Sequence, residues 1–189
     1  LKNNGLLPLK EANLKRILVT GPNANNHALL GDWVKQQPED KVTIIYEGIQ
    51  AIGATKGCVV DFYDSNPDIR SLSKADIAGA VRAAQGYDYV VVVVGDNSMR
   101  HIKNLRTAGE NMARADIDLA GQQLELVQAL KGTEIPPLVI HVNGKPIAEP
   151  WIDANADALI EAWEPGSFGE QAVAHIRALH LENFLFKNY

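Results

Sequence analysis

The sequence predicts an α/β fold: a three-layer sandwich on a mostly parallel sheet of five or six strands, with helices on both faces. Three observations predict it. Residues 90–94 are five consecutive valines closed by Gly95, and a β-branched run without polar alternation suits a strand buried on both faces. Shorter runs of the same character recur at Arg16–Thr20, 138–142 and Ala158–Trp163. Stretches with helical spacing lie between them, and alternation of that kind gives parallel strands joined by crossover helices.

In chain order, residues 1–9 are a short apolar lead-in interrupted by Pro8. Arg16–Thr20 is a strand, stopped by Gly21-Pro22 and a polar loop through His27. Residues 42–46 read as the second strand, although 47–52 pull the region toward helix. A short strand is expected at 58–62 within an irregular stretch from 53 to 74. Asp76 is the expected N-cap of a helix through Gln85, with Ile77, Ala80, Val81 and Ala84 on one face. The valine strand follows, then a long polar loop, then a helix over 120–131 with Gly132 as its C-cap. Strands at 138–142 and Ala158–Trp163 come next, and a last helix begins near Phe168.

With 189 residues, the chain fits one domain over 1–189 with a substantial core. A formal charge of -5 disfavours nucleic-acid and membrane-surface roles, which call for basic patches. No apolar run approaches the roughly 18 residues a membrane span requires. The one cysteine, Cys58, excludes an internal disulfide, and its neighbours Val59 and Val60 point to a buried thiol. The chain starts at Leu1 without an initiator methionine, and it reads as a segment of something longer.

Few spacings carry chemistry. The glycines after the first strand form no dinucleotide fingerprint and no phosphate loop. A backbone nest for an anion over 21–31 remains a minor alternative, as in a flavodoxin-like module binding a small molecule or nucleotide. The five histidines show no metal-ligand grouping, so neither metal nor cofactor is expected. His141 reads as a core or edge histidine, and His175 and His180 as surface. Ser98 lacks the glycine-flanked elbow of an esterase nucleophile.

Glu110 is the acid of most interest, because it stands in the long loop beyond the buried valine strand. Functional groups collect at the carboxyl ends of such strands, and long loops inside compact domains usually serve a purpose. From residue type alone the leading reading is a solvated carboxylate, or a partner of Arg106 or Arg114, in a scaffold or carbohydrate-binding domain, and catalysis comes second. Trp33, Trp151 and Trp163 are each available to a sugar face, and nothing in the spacing selects among them. Trp151 and Trp163 bracket a strand whose exit also bears Glu164.

A set of separated motifs then carries a resemblance. They are Leu1-Lys2-Asn3-Asn4-Gly5-Leu6-Leu7-Pro8-Leu9, Ile17-Leu18-Val19-Thr20-Gly21-Pro22-Asn23-Ala24 and Leu30-Gly31-Asp32-Trp33. Lys56-Gly57-Cys58, the valine strand and Gly109-Glu110-Asn111-Met112-Ala113-Arg114 follow. Val142-Asn143-Gly144-Lys145-Pro146 and Glu161-Ala162-Trp163-Glu164-Pro165-Gly166 complete the order. In this order the chain resembles the α/β sandwich domain that follows the catalytic barrel in glycoside hydrolase family 3, the β-glucosidases and β-xylosidases.

The resemblance implies an accessory domain of a retaining exo-acting β-glycosidase, cut from its (α/β)8 barrel and inert by itself. The family's nucleophile is a barrel aspartate, and its general acid/base is a glutamate in a Gly-Glu motif ahead of an arginine and a Leu-x-Leu-Pro-Gly-x-Gln segment. Gly109-Glu110, Arg114 and Leu119-Ala120-Gly121-Gln122 occupy those places, which gives the role to Glu110. The implied substrates are β-linked glucosides, xylosides or oligosaccharides, and the compartment, periplasmic or secreted parents being one option, is left open by the sequence. After Ala174 the sequence departs from the family pattern, with His175 to Asn183 standing before Phe184-Leu185-Phe186.

Overall fold

The computed structural model describes residues 1–10 and 14–169. Six strands form one sheet: β1 (Lys2–Asn3), β2 (Arg16–Thr20), β3 (Val59–Tyr63), β4 (Tyr89–Gly95), β5 (Pro137–Val142) and β6 (Ala158–Trp163). Their order across the sheet is β1-β6-β5-β4-β2-β3. All neighbours are parallel except β1, which runs antiparallel to β6 with Lys2 opposite Leu159. The valine strand β4 lies between β2 and β5, and every one of its residues is buried. Its alternate side chains serve two cores, which is why polar alternation is missing from it. Val91 and Val93 join Ile17, Val19 and Ile140 on one face, while Val90, Val92 and Val94 join Leu18, Leu126 and Val139 on the other.

Among the described residues, four α-helices cover these faces. α1 (Ile45–Thr55) packs on β3, close enough that a Cβ at Gly53 would collide with Val60. Ile45 and Ile49 are its buried stripe, and Glu47 caps its start by accepting from the Ile44 amide at 3.2 Å. A helix therefore replaces the strand expected at 42–46. The β-branched run Val42-Thr43-Ile44-Ile45 misled, because Ile45 and Ile49 already carry the helical period that wins.

α2 (Lys74–Ala84) and α3 (Gln123–Lys131) share the opposite face. α2 begins one turn ahead of expectation: Ser73 is the N-cap, and Asp76 is its capping-box partner at the third position. The Asp76 carboxylate accepts from the Ser73 amide at 2.8 Å and from its hydroxyl at 2.6 Å. α3 starts at Gln123 rather than near 120, and Gly132 caps it by donating to the Gln128 carbonyl at 2.9 Å. α4 (Pro150–Asn155) was not expected, although Pro150 at its first turn is a helix-start signal. The expected helix from Phe168 onward lies outside the described residues.

Strand order reverses between β2 and β4, since β2 turns outward to β3 while β4 leads through β5 to β6. In open α/β sheets the crevice beyond the strand ends at such a reversal is where ligands bind. The loops leaving β2 and β4 both open there. Among the described residues, no helix is long and apolar enough to cross a membrane.

Candidate functional site

The long loop after β4 is tied at its base. Asn97 donates its amide to the Thr107 hydroxyl at 2.9 Å, and its carbonyl accepts from the Thr107 amide at 2.7 Å and the Ala108 amide at 3.2 Å. Residues 98–106 are thus an excursion closed at its neck, the form of a compact surface loop. Beneath it, the Asp96 side chain is 1% exposed, with Lys145 Nζ 3.0 Å and Arg114 Nη1 3.6 Å away. It also accepts from the Thr107 hydroxyl at 2.9 Å. A buried carboxylate needs such partners to stay in place. Gln123 completes the floor: its fully buried amide accepts from Gly95 N at 2.9 Å and donates to Gly95 O at 2.8 Å.

Glu110 emerges from this neck gripped by its own backbone. Its amide donates to Asp32 Oδ2 at 2.6 Å, and its carbonyl accepts from Arg106 Nη2 at 3.0 Å. Gly109 precedes it with φ +95°, and a Cβ there would stand 2.7 Å from Asp32 Oδ2. Only glycine lets the chain pass so close to the aspartate. The Glu110 side chain is 47% exposed, and its carboxylate accepts from Arg100 Nη2 at 2.6 Å. Arg100 also places Nε 2.8 Å from Asp32 Oδ1 and lies 3.6 Å from the ring centre of Trp33. Its hydrogen bond to Glu110, aided by the Asp32 charge, raises an already high guanidinium pKa.

Arg100 is therefore the Glu110 carboxylate's partner, not Arg106 or Arg114. Arg106 binds the Glu110 backbone and Asp32, while Arg114 reaches the Asp118 carbonyl and Asp96. Asp32 stands 78 positions from Glu110, in a loop off β2. No local spacing announces that contact. The other two tryptophans stand apart from it: Trp151 is half-buried on α4, and Trp163 ends β6 half-exposed. Ser98 donates to the Glu164 carboxylate, and that carboxyl is raised by burial, with the Asp32 and Asp96 charges adding and the Ser98 bond opposing.

The remaining candidates are quieter. His141 is buried in β5, with Nδ1 3.5 Å from Glu161. His175 and His180 lie outside the described residues. No group of three or more metal-ligating side chains occurs among the described residues. The amides of Gly21, Asn23, Ala24, Ala28 and Gly31 are bonded within the protein, which takes these five out of an anion nest over 21–31. Beside the loop, a pocket of about 430 Å³ opens between His27, Gln37, Glu47, Met99 and His101.

A family model, the glycosyl hydrolase family 3 C-terminal domain, matches residues 1–176. The chain belongs to this family. It is similar to a β-xylosidase of Formosa agariphila, 34% identical over 93% of this chain and 24% of the relative. It is also similar to a periplasmic β-glucosidase of Salmonella typhimurium, 33% identical over 90% of this chain and 24% of that protein. The chain thus spans about a quarter of the length of the curated relatives it matches.

The family 3 fold is equally plain in solved structures. A β-glucosidase from Listeria innocua in complex with isofagomine superposes with a TM-score of 0.77 at 25% identity, covering 93% of this chain and 22% of that one. An exo-β-xylosidase of the family in complex with a xylobiose aziridine probe also gives 0.77 at 27% identity, covering 93% and 21%. Within this family 3 domain, sequence singled out Glu110 but assigned no role to Asp32, Arg100, Gln123 or Glu164. The positions of Asp32 and Glu164 inside quoted motifs were the available signal.

Proposed function

We propose that this domain supplies the general acid/base of a retaining exo-acting β-glycosidase, with Glu110 as that group and the nucleophile on a separate barrel domain. The observation that carries the proposal is the grip on Glu110. Its backbone is fixed on both sides by Asp32 and Arg106, while its carboxyl stays half-exposed on the side where the parallel strands end. A proton-transfer group needs a fixed origin and an accessible oxygen.

Retention uses two carboxyl groups roughly 5 Å apart. Glu110 gives its proton to the departing glycosidic oxygen while the nucleophile bonds to the anomeric carbon. It then takes a proton from the water that breaks the glycosyl–enzyme bond. A carboxylate bonded to Arg100 has no proton to give. In the assembled enzyme, Glu110 exchanges Arg100 for the glycosidic oxygen, and Arg100 keeps Asp32 and the Trp33 face. The substrate class is a neutral β-linked glucoside, xyloside or oligosaccharide, in keeping with the relatives' activities.

The barrel has a surface to meet. Trp33 is 75% exposed, and Val34, Ile117, Trp163 and Phe168 are exposed with it. Trp33, Val34, Ile117 and Phe168 lie in segments that follow parallel strands, and Trp163 ends β6; a docked barrel would cover exposed apolar groups of this kind. Without the barrel, the domain holds no nucleophile and should give no turnover.

The test is a leaving-group comparison in the full-length enzyme. E110A should lose ~10²–10⁴-fold on an aryl β-glycoside with a poor leaving group. Release of dinitrophenolate, which needs no proton, should be far less affected. Equal losses on both substrates would remove Glu110 from proton transfer.

A further inference from the structure

We infer that Glu164 is a positioning residue: a carboxyl pin that fixes the two loops carrying Asp32 and Arg100, and through them Glu110. The inference rests on the acid/base role of Glu110 proposed above. Glu164 directly follows β6 and forms no hydrogen bond with Glu110. Its own contacts converge on the segments that do.

On one side, Glu164 Oε1 accepts from the Ser98 hydroxyl at 2.5 Å, two residues before Arg100. On the other, Oε2 lies against Gly31, the residue before Asp32, so closely that a Cβ at Gly31 would collide with it. A third approach comes from β5, where a Cβ at Gly144 would stand 2.6 Å from Oε1. Three loops leaving three different strands thus close around one carboxyl group, and glycine supplies the room in two of them.

The backbone ahead of it is also strained. Trp163 has φ 56°, a left-handed conformation that a bulky L-residue rarely adopts. Strain of this kind persists only where surrounding contacts fix it, and it gathers at functional positions. Here it turns the chain at the end of β6 and aims Glu164 inward between the loops. The raised pKa of this half-buried carboxyl fits the same placement: burial is the main cause and the Asp32 and Asp96 charges add to it, while among the described residues no Lys or Arg forms an ion pair with it.

Glu164 holds Gly31 and Ser98 at a set separation. Asp32 directly follows Gly31 and Arg100 stands two residues after Ser98, and their 2.8 Å contact is the frame on which the Glu110 amide and carboxylate both rest. A shift of about 1 Å in a group that must reach a reacting atom can cost 10²-fold in rate.

The experiment uses the full-length enzyme with E164A, E164Q and S98A. E164A should lower kcat by about 10²-fold on a poor-leaving-group aryl glycoside while changing dinitrophenolate release far less. E164Q, which keeps an oxygen to accept from Ser98, should recover most of that loss. S98A removes the same bond from the other side and should share the leaving-group dependence, which covers the case in which E164A fails to fold. Wild-type kcat in E164A on the poor leaving group, beside a damaged E110A, overturns the pin and leaves Glu110 in place. Equal losses on both substrates in E164A, tracking a lower Tm, overturn it as well. If E110A itself fails its leaving-group test, crystal structures of E164A decide. Loss of the Asp32–Arg100 contact there supports the pin, and an unchanged contact refutes it.

Discussion

Gln123 and Glu164 show how differently two buried polar side chains are held. Gln123 gives both ends of its amide to Gly95, whose N–H and C=O would otherwise face the apolar core where β4 ends. Q123A should leave both groups unpaired, at about 1–3 kcal/mol for each. Urea denaturation should show that loss as a lower midpoint, and an unchanged midpoint would mean water replaces the amide. Among the described residues, no cation pairs with Glu164 to offset its burial. Its folded pKa is raised above the unfolded value, so the folded state binds its proton more tightly. The sign follows: the stability it contributes is complete below the ordinary glutamate value and is lost as pH rises through the raised folded one. Wild-type Tm relative to E164Q should therefore fall across that window, and a pH-independent difference would show that burial does not perturb the carboxyl.

Individual elements reveal what the sequence could and could not announce. The capping box of α2 lowers the Asp76 pKa, first through the Ser73 hydroxyl and then through its amide. S73A should cost ~1 kcal/mol at neutral pH. The opposite sign applies to Asp76: its contribution is present above the unfolded value and fades as pH falls through the lowered folded one. A wild-type–S73A difference that does not shrink in acid would contradict this assignment. In the same core, L126A should cost about 2–5 kcal/mol, since Leu126 is fully buried among the sheet valines. β4 and its neighbours were legible because their burial on both faces is written directly as unbroken apolar runs. α1 was not, because Val42-Thr43-Ile44-Ile45 has strand propensity locally while the period that decides is spread over Ile45 and Ile49. Glu110 was singled out through its place beyond a buried strand and through family likeness. Its partners Asp32 and Arg100 escaped notice, because contacts between loops from different strands leave no spacing to read.

At the scale of the whole molecule, the reversal between β2 and β4 gathers the Asp32 loop and the Glu110 loop at one crevice. The chain covers about a quarter of the length of its family 3 relatives, and the proposed reaction calls for a nucleophile from a separate barrel domain. The isolated domain should release no aryl leaving group above background, measured against the full-length enzyme at equal concentration. The central claim, that Glu110 carries the proton in both half-reactions, is tested most directly by trapping what its removal leaves behind. E110A, loaded with a dinitrophenyl β-glycoside, should accumulate a glycosyl-enzyme for want of a base, and added azide, which needs none, should restore turnover. The predicted product is the β-glycosyl azide, with anomeric configuration retained. Turnover that azide does not accelerate, or an α-glycosyl azide as product, would contradict it.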